Sequence, residues 1–390
     1  MKNDGQWSLI APVRLGGAFT RYHLFIVLFL SVSVIGCSRD FEVKDLSYHT
    51  YDTMLSELCR LEKAHPKTGK LHDLGVSSDR RTHVWAFKIS DNVEKEEDEP
   101  NVLLTGGIHG NEPVGSEMAF FTIRRLLSEH SHRALIDKTQ IWVIPILNPA
   151  GHATGNAHCN ANRVDLNRNF PVDWTRDDLD AVEIELQNLF KNFYLRRAHV
   201  VAGIDLHTYG QAYLLPWANT QKKPADWAAM KDLADTMAKT SGYRAMQLTE
   251  YLHRTVPGGA ADYQYGRYGT FYYGLELGTS HTLRAEQLGP LCRKNFPGIM
   301  LMMNRVHTRA ITGHVTRNGK PVAAVVDVDG IDKPGDLRRP YMSDAVFGRY
   351  YRILLPGAYT VRFTFEGKKV VKEKVVIVDD RQTVLNIEFP

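Results

Sequence analysis

Two short apolar runs, each followed closely by a histidine, constrain the fold of this chain more than any other feature. Residues 101–105 and 201–206 have the length and apolar content of buried β-strands. Gly106 and Gly107 allow the chain to turn sharply after the first run, and residues 114–127 show the pattern of a helix. A buried strand followed by a turn and a helix is typical of an α/β sheet, whose ligand sites collect at strand ends.

Polar residues at these strand ends have the composition of a metal site. His109 and Glu112 follow the first run, and His207 directly follows the second. Two imidazoles and one carboxylate are the ligands of a catalytic zinc ion, which keeps a further position open for water. A third strand-like segment, residues 271–276, ends at Glu276. A carboxylate in that place can take a proton and return it, so the segments together predict a catalytic zinc site.

From about residue 48 to about residue 307, the sequence resembles the zinc metallocarboxypeptidases. The segment 109–112 (His-Gly-Asn-Glu) is similar to the N/E branch of that family, and 164–171 is similar to its substrate-carboxylate motif. Gly258, Gly259 and Asp262 precede Glu276 as in the family. The resemblance implies one zinc ion per chain, bound by His109, Glu112 and His207, and Glu276 as general base and acid.

The same resemblance implies how a substrate binds. Asn167 and Arg168 correspond to the residues that hold the free C-terminal carboxylate of a peptide, and Tyr209 to a residue of the next subsite. The planar guanidinium of an arginine suits bidentate binding of a carboxylate. We therefore expect a peptide with a free C-terminus as the substrate.

Two positions depart from the family pattern. His158 stands nine positions before Asn167, where the family has an arginine that stabilises the oxyanion, so either His158 or Arg163 is expected to replace it. Arg254 stands where the family has a mobile tyrosine, and Tyr251 is an alternative for that role. An oxyanion donor contributes about 3 kcal/mol to catalysis, so these changes bear on rate and substrate.

The resemblance also predicts the preference for the terminal side chain. Relatives that cleave after Lys or Arg have an acidic residue at one of two positions, which here are Ala218 and Ala261. Val256, Ala260 and Gly274 are expected to face the same pocket. Because burying an unpaired ammonium group is costly, we expect a small or apolar terminal residue.

The N-terminal segment predicts export. Residues 24–36 form an apolar run, preceded by Arg14 and Arg21, that is shorter than the roughly 20 residues needed to span a bilayer. The segment 34–37 resembles a bacterial lipobox, which predicts a lipoprotein signal peptide (residues 1–36), lipidation of Cys37 and a linker (residues 37–46). The expected location is the outer membrane of a bacterial envelope, facing the periplasm. An ordinary signal peptide and an uncleaved anchor are the alternatives.

The chain changes character near residue 310. Residues 47–309 alternate strand and helix patterns and predict a mixed α/β sheet with helices on both faces. Residues 310–390 contain short alternating runs separated by turn signals such as Asn318-Gly319 and predict a small all-β sandwich. The segment 348–359 resembles the transthyretin-like domain that follows the catalytic domain in the N/E branch.

Composition and cysteine usage exclude some functions. The net charge of +4 over 390 residues gives no basis for nucleic-acid binding. Beside Cys37 there are only Cys59, Cys159 and Cys292, which allow one disulfide at most and no Cys-x-x-Cys site. Two alternatives to a carboxypeptidase stay open, a zinc amidohydrolase acting on murein peptides and a non-catalytic peptide-binding module. The sequence does not predict the oligomeric state.

Overall fold

A central mixed sheet with helices on both faces forms the first part of the protein. The structure is a computed structural model that describes residues 47–154, 157–174, 179–194 and 200–390. The helices in these ranges are α1 (Tyr51–Ala64), α2 (Pro113–Ser128), α3 (Arg133–Ile136), α4 (Pro149–Ala153), α5 (Ile184–Asn192), α6 (Trp227–Ser241), α7 (Leu248–Leu252), α8 (Ala260–Tyr268) and α9 (Ala285–Arg305). None of them combines the length and the apolar content that crossing a membrane requires.

The central sheet has eight strands in the order β1-β2-β4-β3-β5-β8-β6-β7. The strands are β1 (Gly69–Val76), β2 (His83–Ile89), β3 (Asn101–Gly106), β4 (Gln140–Ile144), β5 (Val200–His207), β6 (Ala212–Leu215), β7 (Arg244–Gln247) and β8 (Phe271–Glu276). The four middle strands β4, β3, β5 and β8 run parallel, and β2 and β6 flank them antiparallel. Every residue of β3 and β5 is buried, as expected for parallel strands covered on both faces.

Helices cover the sheet in two layers. On one side α9 packs against α2 and α6, and α2 also contacts β3 and β5. A second pair, α5 and α8, is joined by the aromatic rings of Phe190 and Tyr263, whose centroids are 4.9 Å apart. The turn between β3 and α2 is short because Pro113 begins the helix directly after Glu112, so the sheet and the helix layer together fix the position of this turn.

A small all-β unit follows α9. Its strands are β9 (Ala310–Arg317), β10 (Lys320–Pro321), β11 (Val325–Val328), β12 (Arg349–Ile353), β13 (Gly357–Phe365), β14 (Lys368–Ile377), β15 (Thr383–Val384) and β16 (Ile387–Phe389). In one sheet β10, β12, β15 and β16 all join β9, and the other has the order β11-β13-β14. Both sheets contribute to one core that includes Val315, Tyr350 and Phe363.

The predicted fold class is thereby confirmed, with an α/β part followed by a small all-β part. The expected turn at Asn318 and Gly319 is present, and both residues have the positive φ values, 51° and 69°, that a tight hairpin turn needs. The resemblance to a transthyretin-like domain and the boundaries 47–309 and 310–390 stay predictions. The signal peptide and Cys37 lie outside the described residues.

Candidate active site

The predicted site residues meet because β3, β5 and β8 are neighbours in the sheet. His109 follows the end of β3, His207 is the last residue of β5, and Glu276 is the last residue of β8. His207 and Glu276 are paired directly in the register of β5 and β8. Residues that are far apart in the sequence therefore lie together at the carboxyl end of the sheet, where ligand sites of this architecture form.

Close packing at the turn after β3 requires small residues. A side chain on Gly107, which has a φ of 60°, would meet the hydroxyl of Ser116 at 2.5 Å, and one on Gly106 would meet the carbonyl oxygen of Gly115 at 2.7 Å. Only glycines at these two positions let the turn approach α2 this closely. The turn thereby places His109 and Glu112 beside the end of β5.

His109, Glu112 and His207 form a buried cluster with the donor set of a zinc site. Their nearest ligand atoms all lie within 4.8 Å of one another, and each residue is at most 7% exposed. Nδ1 of His109 is 2.9 Å from one Glu112 oxygen, and Nδ1 of His207 is 3.2 Å from the other. Burial raises the pKa of Glu112, but the hydrogen bonds with both histidines outweigh burial and hold it well below its usual range.

Two aspartates orient the histidines, and sequence reasoning missed both. The other ring nitrogen of His207, Nε2, is 2.9 Å from Asp205, and Nε2 of His109 is 3.3 Å from Asp165. Each imidazole thus presents Nδ1 to the cluster centre while Nε2 faces a carboxylate, the arrangement typical of metal-binding histidines. Asp205 precedes His207 by two residues on one strand, so the alternation of side chains places both on the same face.

Glu276 lies beside this cluster with a free carboxylate oxygen. Its Oε2 is buried and makes no hydrogen bond in the described part of the structure. Burial raises the pKa of Glu276 to about 7, and the positive charge of His207 opposes this increase. A carboxylate with such a pKa can exchange a proton near neutral pH.

Asn167 and Arg168 reach the same pocket from the short 3-10 helix Leu166–Arg168. The side-chain oxygen of Asn167 accepts a hydrogen bond from the Ala260 amide at 2.9 Å, which joins this segment to the start of α8. Arg168 is exposed, and among the described residues its guanidinium donates only to the Asn167 carbonyl, at 2.7 Å. Most of its donors therefore face solvent at the pocket and are available to an anion.

The remainder of this pocket is small and apolar in character. Its lining beyond the polar residues above consists of Leu214, Ala218, Leu248, Leu252, Val256, Gly259, Ala260, Ala261 and Gly274. Asp262 lies behind this lining, where its carboxylate accepts hydrogen bonds from the amides of Ala218 and Asn219 at 2.8 to 3.0 Å. Because both backbone amides bind its carboxylate, the Asp262 side chain faces the loop at Ala218. Asp262 itself is not among the residues that line the pocket.

Of the two candidates for the missing arginine, the structure brings only His158 to the cluster. Its ring stacks on His109 with a centroid distance of 3.8 Å, and its Nε2 is 3.2 Å from Asp165. Arg163 is exposed on a residue with a φ of 64°, and its side chain makes no hydrogen bond or ion pair with another described residue. The same two residues differ by only five positions in the sequence, so the loop backbone decides which of them faces the site.

At the position of the family's mobile tyrosine, the structure brings Tyr251, and not Arg254, into contact with a predicted site residue. The hydroxyl of Tyr251 donates to the Tyr209 carbonyl at 2.5 Å, and burial together with the charge of Glu276 raises its pKa to about 12. Arg254 is exposed and has no hydrogen bond or ion pair with any described residue. The ring of Tyr209 packs edge-on against His281 at 5.0 Å. His281, which sequence reasoning missed, lies 4.0 Å from Glu112.

Comparisons with known proteins find relatives among the carboxypeptidases. The family model described as zinc carboxypeptidase matches residues 54–298. Carboxypeptidase SOL1 of Arabidopsis thaliana is 25% identical over 346 residues, which cover 83% of this chain and 68% of that protein. Carboxypeptidase D of Homo sapiens is 24% identical over 383 residues, covering 88% of this chain but only 27% of that protein. The chain thus spans about a quarter of the length of carboxypeptidase D.

Solved structures show the same fold. The crystal structure of carboxypeptidase A from Helicoverpa armigera has a TM-score of 0.58 with 19% sequence identity, over 65% of this chain and 72% of that chain. The similarity to carboxypeptidase D agrees with the N/E branch that the motif at His109 predicts. Because the family model covers more than half of the sequence and ends within α9, the protein belongs to the zinc carboxypeptidase family.

Proposed function

We propose that this chain is a zinc-dependent carboxypeptidase that removes the C-terminal residue of a peptide. The observation that carries the proposal is one pocket lined by His109 and His207 of the metal-binding cluster, by the carboxylate of Glu276 and by the exposed guanidinium of Arg168. A binding module needs no carboxylate poised for proton transfer, so the presence of Glu276 favours catalysis over binding alone.

The fit of the cluster to zinc rests on its donors. Two imidazoles with Nδ1 facing inward and one carboxylate are three suitable ligands for one zinc ion. His109, Glu112 and His207 would hold the ion, and Asp165 and Asp205 would orient the rings. When bound, zinc acts as a Lewis acid and lowers the pKa of a coordinated water.

The remaining residues bind the substrate and move the proton. Arg168 and Asn167 hold the terminal carboxylate, which places the last peptide bond beside Glu276. Glu276 accepts a proton from the attacking water and then donates it to the leaving amine, a role that its pKa of about 7 suits. Tyr209, which is half-exposed at the rim, lines the next subsite.

Two further roles follow from the side chains at the rim. We assign the donor to the reacting carbonyl to His158 rather than Arg163, because only His158 stacks on the cluster. We assign the role of the mobile tyrosine to Tyr251 rather than Arg254, because the Tyr251 hydroxyl contacts the carbonyl of Tyr209 whereas Arg254 is exposed. A hydrogen-bond donor at His158 or at Tyr251 would stabilise the negative charge that develops on the reacting carbonyl oxygen.

The pocket lining supports a small or apolar terminal residue. Ala218 and Ala261 are both buried in that lining, and the acidic side chains among its described residues are Asp205 and Glu276, which lie at the cluster. A lysine or arginine side chain would lose its hydration there without gaining a counter-charge.

For the subcellular location, we propose that this protein is a lipoprotein attached through Cys37 to the outer membrane and facing the periplasm. The support is the sequence of residues 24–37, which lie outside the described part of the structure. Labelling with a radioactive fatty acid in a bacterial host tests it: the full chain should take up label and a Cys37→Ser variant should not. Label on the variant would refute lipidation at this cysteine.

The catalytic proposal is tested with a peptide mixture whose members differ in their last residue. Products are followed by mass spectrometry with and without a zinc chelator, for the wild type and for Glu276→Gln. We expect loss of single C-terminal residues, abolished by the chelator and reduced about 10²- to 10⁴-fold in the variant. Intact peptides despite bound zinc would refute the proposal, and cleavage of murein peptides under the same conditions would identify an amidohydrolase.

A further inference from the structure

A buried cluster of four charges connects the C-terminal β unit to the α/β part. Arg352 on β12 contacts Asp226 at 3.0 Å and Asp332 at 2.7 Å, and Arg338 contacts the same two aspartates, with Nε 3.4 Å from Asp226. The side chains of both arginines and of Asp226 are only 3% exposed. Two positive and two negative charges balance each other, which is the condition under which such groups can be buried.

From Asp226 the contacts continue toward the pocket. Asp226 precedes α6, and its carboxylate accepts a hydrogen bond from the hydroxyl of Tyr265 at 2.8 Å. That hydroxyl also accepts the Asp226 amide at 3.0 Å. The Tyr265 ring packs against Trp217 with a centroid distance of 5.0 Å. The charge cluster therefore fixes both ends of the loop that runs from Trp217 to Asp226.

The β unit contacts the loop from Trp217 to Asp226 at a second point, through a stacked pair of tryptophans. Trp217 stacks on Trp174 with a centroid distance of 5.2 Å and an interplanar angle of 7°. The indole N–H of Trp174 donates to the carbonyl of Leu337 at 2.7 Å, next to Arg338 of the charge cluster. Both rings of the stack thus depend on the segment at residues 337–338.

The loop held in this way carries part of the pocket wall. Ala218 follows Trp217 directly and lines the same pocket as Glu276. Its amide donates to Asp262, and its carbonyl accepts the amide of Val256, a second lining residue, at 2.7 Å. A displacement of Trp217 would therefore move two residues of the lining, while the His109–Glu112–His207 cluster depends on other strands.

We infer that Arg352 of the β unit is a positioning residue for the substrate pocket, so that this unit sets the preference for the terminal side chain. The inference rests on the proposed carboxypeptidase function. Arg352 acts through Asp226, Tyr265 and Trp217 on Ala218, and it touches neither substrate nor metal ligands. The substrate class that it selects is a peptide with a small or apolar last residue.

The test compares Arg352→Gln, Arg352→Lys and the matched control Arg362→Gln. Arg362 lies on the same β unit in an exposed pair with Asp329, at 2.5 Å. For each protein, kcat and KM are measured on peptides ending in alanine and in phenylalanine. In Arg352→Gln we expect the ratio of the two kcat/KM values to move about tenfold toward one, and the change should come from KM. Arg352→Lys should restore the ratio in part, and Arg362→Gln should leave the ratio unchanged.

A second readout needs no activity. The stacked pair Trp174–Trp217 should give a near-ultraviolet circular dichroism signal that weakens in Arg352→Gln and persists in Arg362→Gln. If Arg352→Gln fails to fold, Tyr265→Phe removes only the hydroxyl that binds Asp226 and should show the same two changes more weakly. An unchanged kcat/KM ratio together with an unchanged spectrum would overturn the inference. A wild type without any turnover would refute the proposed function, and the spectrum would still decide whether Arg352 positions the loop.

Discussion

Replacing Asp205 with asparagine tests whether the second layer of the site orients its histidine. Asp205 is 2% exposed, one oxygen lies 2.9 Å from Nε2 of His207, and the other accepts the hydroxyl of Thr105 at 2.6 Å. Asparagine keeps the volume and an acceptor oxygen but removes the charge. The variant should therefore fold normally while His207 loses its charged hydrogen-bond acceptor.

The expected effect is a weaker zinc site. Removal of such an outer carboxylate typically lowers metal affinity about 10- to 100-fold, which corresponds to about 1.4 to 2.7 kcal/mol of binding free energy. Because the contact at Asp205 is short and buried, we expect the upper half of that range. Activity at saturating zinc should fall less than affinity, since Asp205 does not touch the substrate.

Zinc affinity is measured by competition with a chromophoric chelator. Asp73→Asn is the matched control, because Asp73 contacts His83 at the same 2.9 Å in a pair that is about 40% exposed and lies on β1 and β2, which β4 separates from the site strands β3 and β5. The control should bind zinc like the wild type. A dissociation constant for Asp205→Asn within threefold of the wild type would refute the argument that Asp205 orients His207.

Three further predictions follow from other parts of the structure. Ala261→Asp places a carboxylate in the apolar lining, so kcat/KM for peptides ending in lysine should rise at least about tenfold; no gain would contradict the assigned pocket. Gly258→Ala places a side chain within 2.3 Å of the Arg168 carbonyl oxygen, at a residue with a φ of 79°. Because Arg168 must then shift, KM for the peptide should rise while zinc binding stays intact. An unchanged KM would show that Arg168 does not bind the substrate. Burial, with the charges of Asp91 and Glu97, raises the pKa of Glu99 from 4.5 to about 7. The contribution of protonated Glu99 to the free energy of unfolding is fully present below pH 4.5 and is lost as the pH rises through 7. Glu99→Gln should therefore raise the Tm at pH 8 more than at pH 5, and equal shifts at both pH values would contradict this sign.

The centre of the site could be predicted from sequence because strands determine it. His109 and His207 follow runs whose apolar pattern predicts buried strands, and the ends of such strands converge in any α/β sheet. Pairing of β5 with β8, which places Glu276 opposite His207, could not be derived from the pattern, because strand order depends on tertiary packing. Asp205 was predictable in principle, since it lies on the same face of β5 as His207.

Contacts between the two parts of the chain could not be predicted. Arg352 and Asp226 are 126 residues apart, and neither belongs to a motif. Before the structure is known, an arginine in a strand of the β unit is indistinguishable from a solvated one. The buried charge cluster depends on how the segment at residues 332–338 packs against α6, which is a property of tertiary packing alone.

The exposed rim follows a different physical rule from the buried centre. His109, Glu112 and His207 are held by strand register and by close packing at Gly107, so few alternatives fit there. His158, Arg163 and Arg254 lie on loops, where the backbone conformation differs more freely and side chains vary with it, and Tyr251 lies near the end of the five-residue helix α7. A motif in the sequence therefore predicts where a rim residue lies in the fold but not where its side chain points. Arg163 and Arg254 illustrate this, because both are exposed to solvent. On the proposed function, in which the rim contacts the substrate beyond the reacting bond, we expect the departures at His158 and Arg254 to change substrate recognition and rate and to leave zinc binding by the buried centre unchanged.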